Sequence, residues 1–276
     1  MDVILTPNKK IAIIPTRMVN GRGYLDIIDI VSQKLTRGVI LSGDIRSGVD
    51  PLVVNGGKIV LMPVRNPLNA QGIVDIIDIS STGTRKSVLL AGDLQYDVDI
   101  AITPDGKTAL IPSRIATLYR GFLDQIDIST GMVVRRYNLK NDLQSGVDLM
   151  ITSDGKTALM ATMHRTAGST VDIIDLQNKV IFKTMGVPGG LQYDVDPLLV
   201  ENNNIFLVPT TDATRGYGYL NIIDYSVGKV LYRINLSGTL QESVDARLSN
   251  DKKTAIVPSH KGTQGYLDIV DITRGS

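Results

Sequence analysis

Asp2, Asp50, Asp99, Asp148, Asp196 and Asp245 recur every 48 or 49 residues, each after a valine except Asp2, which follows Met1. A second signature keeps the same period. Leu-Asp-Ile-Ile-Asp or a close variant sets pairs at Asp26/Asp29, Asp75/Asp78, Asp124/Asp127, Asp172/Asp175, Asn221/Asp224 and Asp268/Asp271. One supersecondary unit is therefore written six times. Such a unit cannot bury its apolar face alone and must stack on its neighbours, and strand-built repeats of roughly 40–50 residues stack as propellers. The expected fold is all-β: a six-bladed β-propeller of four-stranded antiparallel blades, forming one domain over residues 1–273. Arg274-Gly275-Ser276 reads as a vector-derived tail.

The third unit is the clearest. Val98-Asp99-Ile100-Ala101-Ile102 alternates as a strand does. Thr103-Pro104-Asp105-Gly106-Lys107 is a turn, with proline setting φ and Asp-Gly supplying a corner that tolerates left-handed backbone. Thr108 to Pro112 is a second strand, Phe122 to Ile128 a third and Met132 to Leu139 a fourth. The second strand ends in proline at Pro15, Pro63, Pro112, Pro209 and Pro258, with Ala161 in the fourth unit. Proline lacks an N–H and belongs at a strand end. No fourth strand follows Asp271-Ile272, so one blade is expected to hold three strands. Its open edge at Leu267 to Ile272 predicts pairing with a second copy as a homodimer.

Lys and Arg total 29 against 28 acidic residues. Nucleic-acid binding needs a clustered basic excess, which this balance does not provide. Cysteine is absent, which excludes disulfides and thiolate metal sites. The apolar runs are strand-length, so no membrane-spanning helix is expected. No signal peptide opens this sequence, and because Asp2 already lies inside a repeat, a natural start with a signal peptide ahead of Met1 is one expectation.

In a propeller the first strands line the central channel, so the Val-Asp carboxylates are expected to converge there. Converging carboxylates repel and raise one another's pKa unless a cation or hydrogen-bond donors intervene. Asp50, Asp99, Asp148, Asp196 and Asp245 are therefore candidate ligands for Ca²⁺ or another divalent cation, a hard ion that takes oxygen donors. The structural alternative is that each accepts backbone N–H groups and locks adjacent blades together. A motif present in every blade favours that second reading. The first Asp of each Leu-Asp-Ile-Ile-Asp pair sits mid-strand, within reach of an Arg on the neighbouring strand. The second precedes a turn and suits an Asx-turn.

The residue two past the strand-ending proline breaks the symmetry: Arg17, Arg65, Arg114, Met163, Thr211 and His260. These positions and the loops between blades should share one face. That face gathers Arg17, Arg65, Arg114, Gln95, Gln144 and His260 as candidate ligand-binding residues, with Arg46, Gln192, Gln241, Tyr96 and Tyr193 nearby. The turns of the opposite face look too short to shape a pocket.

Thr103-Pro104-Asp105-Gly106-Lys107, Ala109-Leu110-Ile111-Pro112-Ser113 and Asp124 to Val134 resemble the YVTN-type propeller repeat, with Ala-Leu-Ile-Pro standing where that family has Tyr-Val-Thr-Asn. The similarity runs along nearly the whole chain. It implies the propeller fold and an extracellular or periplasmic binding protein of the surface-layer kind, with lactonase-like and lyase enzymes among similar propellers.

Catalytic motifs are sparse. The two histidines, His164 and His260, fall in different units, and there is no nucleophile elbow, phosphate-cradling loop or zinc-binding His pair. The sequence thus predicts a non-catalytic binding or interaction scaffold for a protein or polar small molecule. The alternative is a lactonase- or lyase-like enzyme with a metal near the aspartates and His260 as acid or base.

Overall fold

A computed structural model describes residues 3–18, 21–45, 48, 50–80, 84–94, 96–97, 99–164 and 168–273. These form six antiparallel sheets of successive strands. Sheet 1 contains β1 (Ile4–Leu5), β2 (Ile11–Arg17), β3 (Gly23–Asp29) and β4 (Lys34–Ile40). Sheet 2 contains β5 (Leu52–Val54), β6 (Ile59–Arg65), β7 (Gly72–Asp78) and β8 (Arg85–Leu89). Sheet 3 contains β9 (Ala101–Ile102), β10 (Thr108–Ile115), β11 (Arg120–Asp127) and β12 (Met132–Asn138). Sheet 4 contains β13 (Met150–Ile151), β14 (Thr157–His164), β15 (Gly168–Asp175) and β16 (Val180–Val187). Sheet 5 contains β17 (Leu198–Val200), β18 (Ile205–Asp212), β19 (Tyr217–Asp224) and β20 (Lys229–Asn235). Sheet 6 contains β21 (Thr239–Leu240), β22 (Arg247–Leu248), β23 (Thr254–Lys261) and β24 (Gln264–Asp271). No helix of the described residues is long and apolar enough to cross a membrane.

The chain divides into two compact units, Met1–Ile115 with Phe122–Arg136, and Ala116–Gly121 with Tyr137–Ser276. In the first unit one apolar cluster joins sheets 1 and 2 through Ile13, Leu25, Val60 and Met62. A second joins sheets 2 and 3 through Val74, Ile76, Ala109 and Ile111. In the second unit Val171, Ile173, Phe206 and Val208 join sheets 4 and 5. Leu220, Ile222, Ala255 and Val257 join sheets 5 and 6. Period-2 alternation accounts for this, because each central strand shows one apolar row to the preceding sheet and the other to the next.

Two differences from the sequence reading are instructive. The first strands are only two or three residues long, and each aspartate lies two residues before the paired segment, as Asp99 does before Ala101 and Asp148 before Met150. The backbone N–H groups of Asp50, Asp148 and Asp196 are engaged elsewhere and do not join the ladder. The sixth sheet counts four strands, yet it is three deep. β21 pairs with His260 and Ser259, while β22 pairs with Ile256 and Ala255, so the two lie in succession along one edge of β23. β24 takes the other edge. Among the described residues no strand pairs with the other edge of β24, the place that β4, β8, β12, β16 and β20 hold in the other sheets.

The second Asp of each motif closes an Asx-turn. Asp29 Oδ1 accepts from the Val31 and Ser32 N–H groups at 2.8 and 3.0 Å. Asp127 Oδ1 accepts from Ser129 Oγ at 2.7 Å and the Thr130 N–H at 2.8 Å. These donors stabilise the carboxylate form and draw Asp127 down to about 2. Asp29, Asp105, Asp154, Asp175, Asp212 and Asp251 move in the same direction for the same reason. A pKa that is lower folded than unfolded gives stability that is complete above the unfolded value and fades as pH falls through the folded one. Urea midpoints measured at successive pH values should therefore drop between pH 4 and pH 2. Asp127→Asn should flatten that drop; a slope identical to wild type would show that the turn does not couple to folding.

Candidate functional site

The segment from each fourth strand to the next first strand, here called the linker, runs beside the end of the following sheet's second strand. Backbone bridges pair Asp44 with Arg65, Asp93 with Arg114, Asp142 with Met163 and Gly190 with Thr211. β21 repeats this at Thr239 and His260. In sheets 2 to 6 the position two past the proline, or past Ala161 in sheet 4, therefore lies beside a linker.

The arginines there are engaged. Arg17 Nη2 forms a close ion pair with Asp44 Oδ2. Arg65 Nε donates to both Asp93 carboxylate oxygens, at 2.8 and 3.0 Å. Each links the second strand of a sheet to the linker that leads out of that sheet into the next. Sequence reasoning missed Asp44 and Asp93, although the repeat carried the signal: Asp142 follows Arg114 at the same spacing, and where Met163 replaces Arg the matching residue is Gly190. Arg114 joins Asp93 through its backbone, with N···O distances of 2.7 and 2.8 Å. Gln144 is half-buried and its carbonyl accepts the Val147 N–H at 3.4 Å. His260 Nε2 lies 3.2 Å from Thr239 Oγ1, at a cavity of about 570 Å³ also lined by Val244, Tyr266 and Leu267. Gln95 and Arg46 lie outside the described residues.

The Val-Asp carboxylates form a relay. The Asp148 N–H donates to Asp196 Oδ1 at 2.9 Å, and the Asp196 N–H donates to Asp245 Oδ1 at 3.2 Å. In the first unit the Asp50 N–H likewise bonds to the Asp99 carboxylate. Asp99, Asp196 and Asp245 each receive a donor from the aspartate one sheet earlier, not from their own strand. Burial, with repulsion from Asp50 and Asp97, still pushes the Asp99 carboxyl up, against the pull of that N–H. Among the described residues no group of three or more acids or histidines is arranged to hold a metal ion.

A second set of carboxylates also joins the sheets. Asp75 is fully buried and accepts from the Ser42 N–H and Ser42 Oγ of the preceding linker, each at 2.7 Å, and from Ser87 Oγ at 2.6 Å. Asp124 accepts the Ala91 N–H at 2.7 Å and pairs with Arg136 Nε at 2.6 Å. Asp172 accepts the Lys140 N–H at 2.9 Å. Asp268 accepts from the Ser237 N–H at 3.0 Å and Ser259 Oγ at 2.6 Å. Burial pushes Asp124 and Asp172 upward despite these donors. The cross-strand arginine expected from sequence is present at Asp124. The donation from the preceding linker was not anticipated, because it depends on how successive sheets stack.

Asn221 explains itself in this frame. The linker residue that would donate to it is Pro188, which has no N–H. The carboxylate is replaced by an amide, whose Nδ2 donates to the Val208 carbonyl and Thr210 Oγ1, both at 3.0 Å. Its Oδ1 is buried without a hydrogen-bond partner.

The turn face departs from expectation. The turns of sheets 4 and 5 enclose a groove of about 590 Å³ lined by Asp154, Asp175, Phe182, Glu201 and Tyr225. Sheets 2 and 3 form one of about 580 Å³ lined by Asn55, Asp105, Lys107 and Asp127. Each turn is short, as read from sequence, but the space lies between turns of adjacent sheets. The acids of the first groove are turn acceptors: Glu201 Oε1 takes the Ser153 N–H at 2.9 Å, and Asp154 Oδ1 takes Thr152 Oγ1 at 2.7 Å.

No protein-family model matches the chain, and no curated protein sequence matches it. Solved structures do. The hydrazine synthase of Kuenenia stuttgartiensis aligns over 92% of this chain and 72% of its own, with 18% identity and a TM-score of 0.61. The Dos1 propeller aligns over 93% and 64%, with 12% identity and a TM-score of 0.59. Dihydro-heme d1 dehydrogenase NirN, in complex with DHE, aligns over 100% and 64%, with 16% identity and a TM-score of 0.54. The chain thus spans just under two thirds of the latter two. At these identities the likeness carries the fold alone: the chain is an all-β protein of six antiparallel sheets, a β-propeller.

Proposed function

We propose that the chain is a non-catalytic binding scaffold of the YVTN-like kind, working outside the cytoplasm. Its linker face, with Arg17, Arg65, Arg114, Gln95, Gln144 and His260, meets a protein or a polar small molecule. One observation carries this reading: the repeated carboxylates accept backbone N–H groups from the neighbouring sheet. Groups committed in this way join blades, and the recognition chemistry falls to the residues that differ from blade to blade. The resemblance to surface-layer propellers supports the same assignment.

A second reading rests on Asp99, whose carboxyl is raised partly by Asp50 and Asp97. A divalent cation would relieve that repulsion, and a lactonase- or lyase-like enzyme would then use His260 as acid or base. One pair of measurements separates the two. In the scaffold, Asp196→Ala leaves the Asp148 N–H unsatisfied, and about 1–3 kcal/mol of stability is lost. Melting curves should show this as a fall of several degrees, with no upward shift of wild type in millimolar CaCl₂. Unchanged melting in Asp196→Ala and Asp99→Ala, with calcium binding by calorimetry that those variants lose, would overturn the scaffold in favour of the metal reading.

Replacing Arg65 by Ala breaks a partly exposed ion pair, in which one Nε–H is shared by both carboxylate oxygens, and should cost no more than about 1 kcal/mol. The corresponding Met163 has no such carboxylate opposite and packs against the apolar cluster of sheets 4 and 5, so its truncation reports packing and not an ion pair. A double-mutant cycle of Arg65→Ala with Asp93→Ala measures the difference.

A further inference from the structure

Phe122 and Phe206 are buried, whereas Phe182 is 54% exposed. Phe182 stands at the bulge of β16, the place that Thr36 holds in β4 and Leu231 in β20. Tyr225 directly follows the aspartate that ends the third strand, where the other repeats carry Ile30, Ile79, Ile128, Leu176 and Ile272. Glu201 precedes the second strand of its sheet by four positions, where the others carry Pro7, Asn55, Pro104, Ser153 and Asn250. These three departures from the repeat line one groove, the space of about 590 Å³ between the turns of sheets 4 and 5. The groove lies wholly within the second compact unit. The equivalent groove of sheets 2 and 3 has Ile128 in place of the tyrosine and Pro104 in place of the glutamate.

Tyr225 is only 8% exposed, yet its hydroxyl makes no hydrogen bond among the described residues. Polar groups buried to this degree normally have a partner. Burial raises its phenol, and the Glu201 and Asp154 carboxylates push the same way, so the hydroxyl lies within their reach. Glu201 is fixed by Oε1, which accepts the Ser153 N–H at 2.9 Å, and this leaves Oε2 unengaged. The Thr152 hydroxyl holds Asp154 below the usual carboxylate range, and the Asn178 N–H does the same for Asp175, so both are ionised at neutral pH. The lining therefore sets three carboxylates against one ammonium, Lys156, whose Nζ is 3.7 Å from Asp154 Oδ2. That excess favours a cation over a neutral polyol, and an ammonium N–H on a carboxylate makes a strong, charge-assisted bond. The exposed ring of Phe182 calls for an apolar body on that cation. We propose that this groove binds an alkylammonium ion, whose N–H groups meet Glu201 Oε2 and the Tyr225 hydroxyl oxygen while its alkyl chain covers Phe182. The site is separate from the linker face and does not depend on the reading given for it.

Calorimetry with cadaverine in low-salt buffer should show binding that the diol of the same length lacks. Glu201→Gln, which keeps an acceptor for the Ser153 N–H, should weaken binding about tenfold by removing the charge. Tyr225→Phe, which keeps the ring, should weaken it about fivefold by removing the hydroxyl. Phe182→Ala should weaken it about fivefold by returning the alkyl chain to water. Lys107→Ala, in the groove of sheets 2 and 3, should leave the affinity unchanged. Binding of Nα-acetyl-lysinamide alongside cadaverine would assign the site to a lysine side chain of a partner; binding of cadaverine without it would assign a free amine. The absence of heat at millimolar cadaverine would overturn the proposal, as would equal binding of the diol. So would a cadaverine affinity that survives Glu201→Gln and Tyr225→Phe intact, since the amine would then sit elsewhere.

Discussion

Asn221→Asp should destabilise the protein by about 3 kcal/mol, and adding Pro188→Ser should recover most of the loss. Position 221 is fully buried, and a carboxylate there has no donor from the linker, because residue 188 is proline. Removing the compensation of a buried charge costs roughly 3–5 kcal/mol. Arg233 stands directly across the ladder from Asn221, but its guanidinium lies over the Tyr219 ring, 5.1 Å from the centroid. Recruiting it would forfeit that contact and would leave the missing linker donor unreplaced, which sets the estimate at the low end of the range. Serine at 188 restores the N–H and hydroxyl that Ser42 gives Asp75 and Ser237 gives Asp268. Urea denaturation of wild type, both single variants and the double closes the cycle. Additive effects, with no recovery in the double, would show that the sheets are not joined through this position.

The second large effect belongs to Gly146. Its φ is +69°, and a Cβ built there would sit 2.6 Å from Asp194 Cα and 2.8 Å from Asp194 Cβ. Gly106 has nearly the same φ, +70°, with nothing within 4 Å. Left-handed backbone costs an L-residue roughly 1–2 kcal/mol, so Gly106→Ala should lose about that much. Gly146→Ala adds an overlap with backbone atoms that no rotamer can relieve, and its total should reach about 3–4 kcal/mol, in the range of a strained overpacked site. The difference between the two chevron-derived stabilities isolates the contact between successive linkers. Equal losses would mean that the linkers can move apart freely. Asp97, Asp194 and Ser243 adopt positive φ at the same repeat position, so the conformation is a requirement of the linker and glycine is one way to meet it.

The six-fold repeat, the turns and the alternating strands were all legible in sequence, because they depend on residues close together in the chain. Proline at a strand end, Asp-Gly at a corner and period-2 burial are local consequences of φ restriction and pleat geometry. The partners of the polar side chains were not. Asp75 and Ser42 lie 33 positions apart, Arg65 and Asp93 28 positions, and both contacts exist because one sheet seats on the next. Sequence singled out the Arg17 and Arg65 positions; stacking decided that both would meet carboxylates of the linkers. It also decided that the relay aspartates would take N–H groups from the preceding sheet, and that grooves would open between turns too short to form them singly. Chain-local geometry determined the blades, and burial between blades, where a polar group must find a partner or lose stability, determined what each repeated carboxylate does.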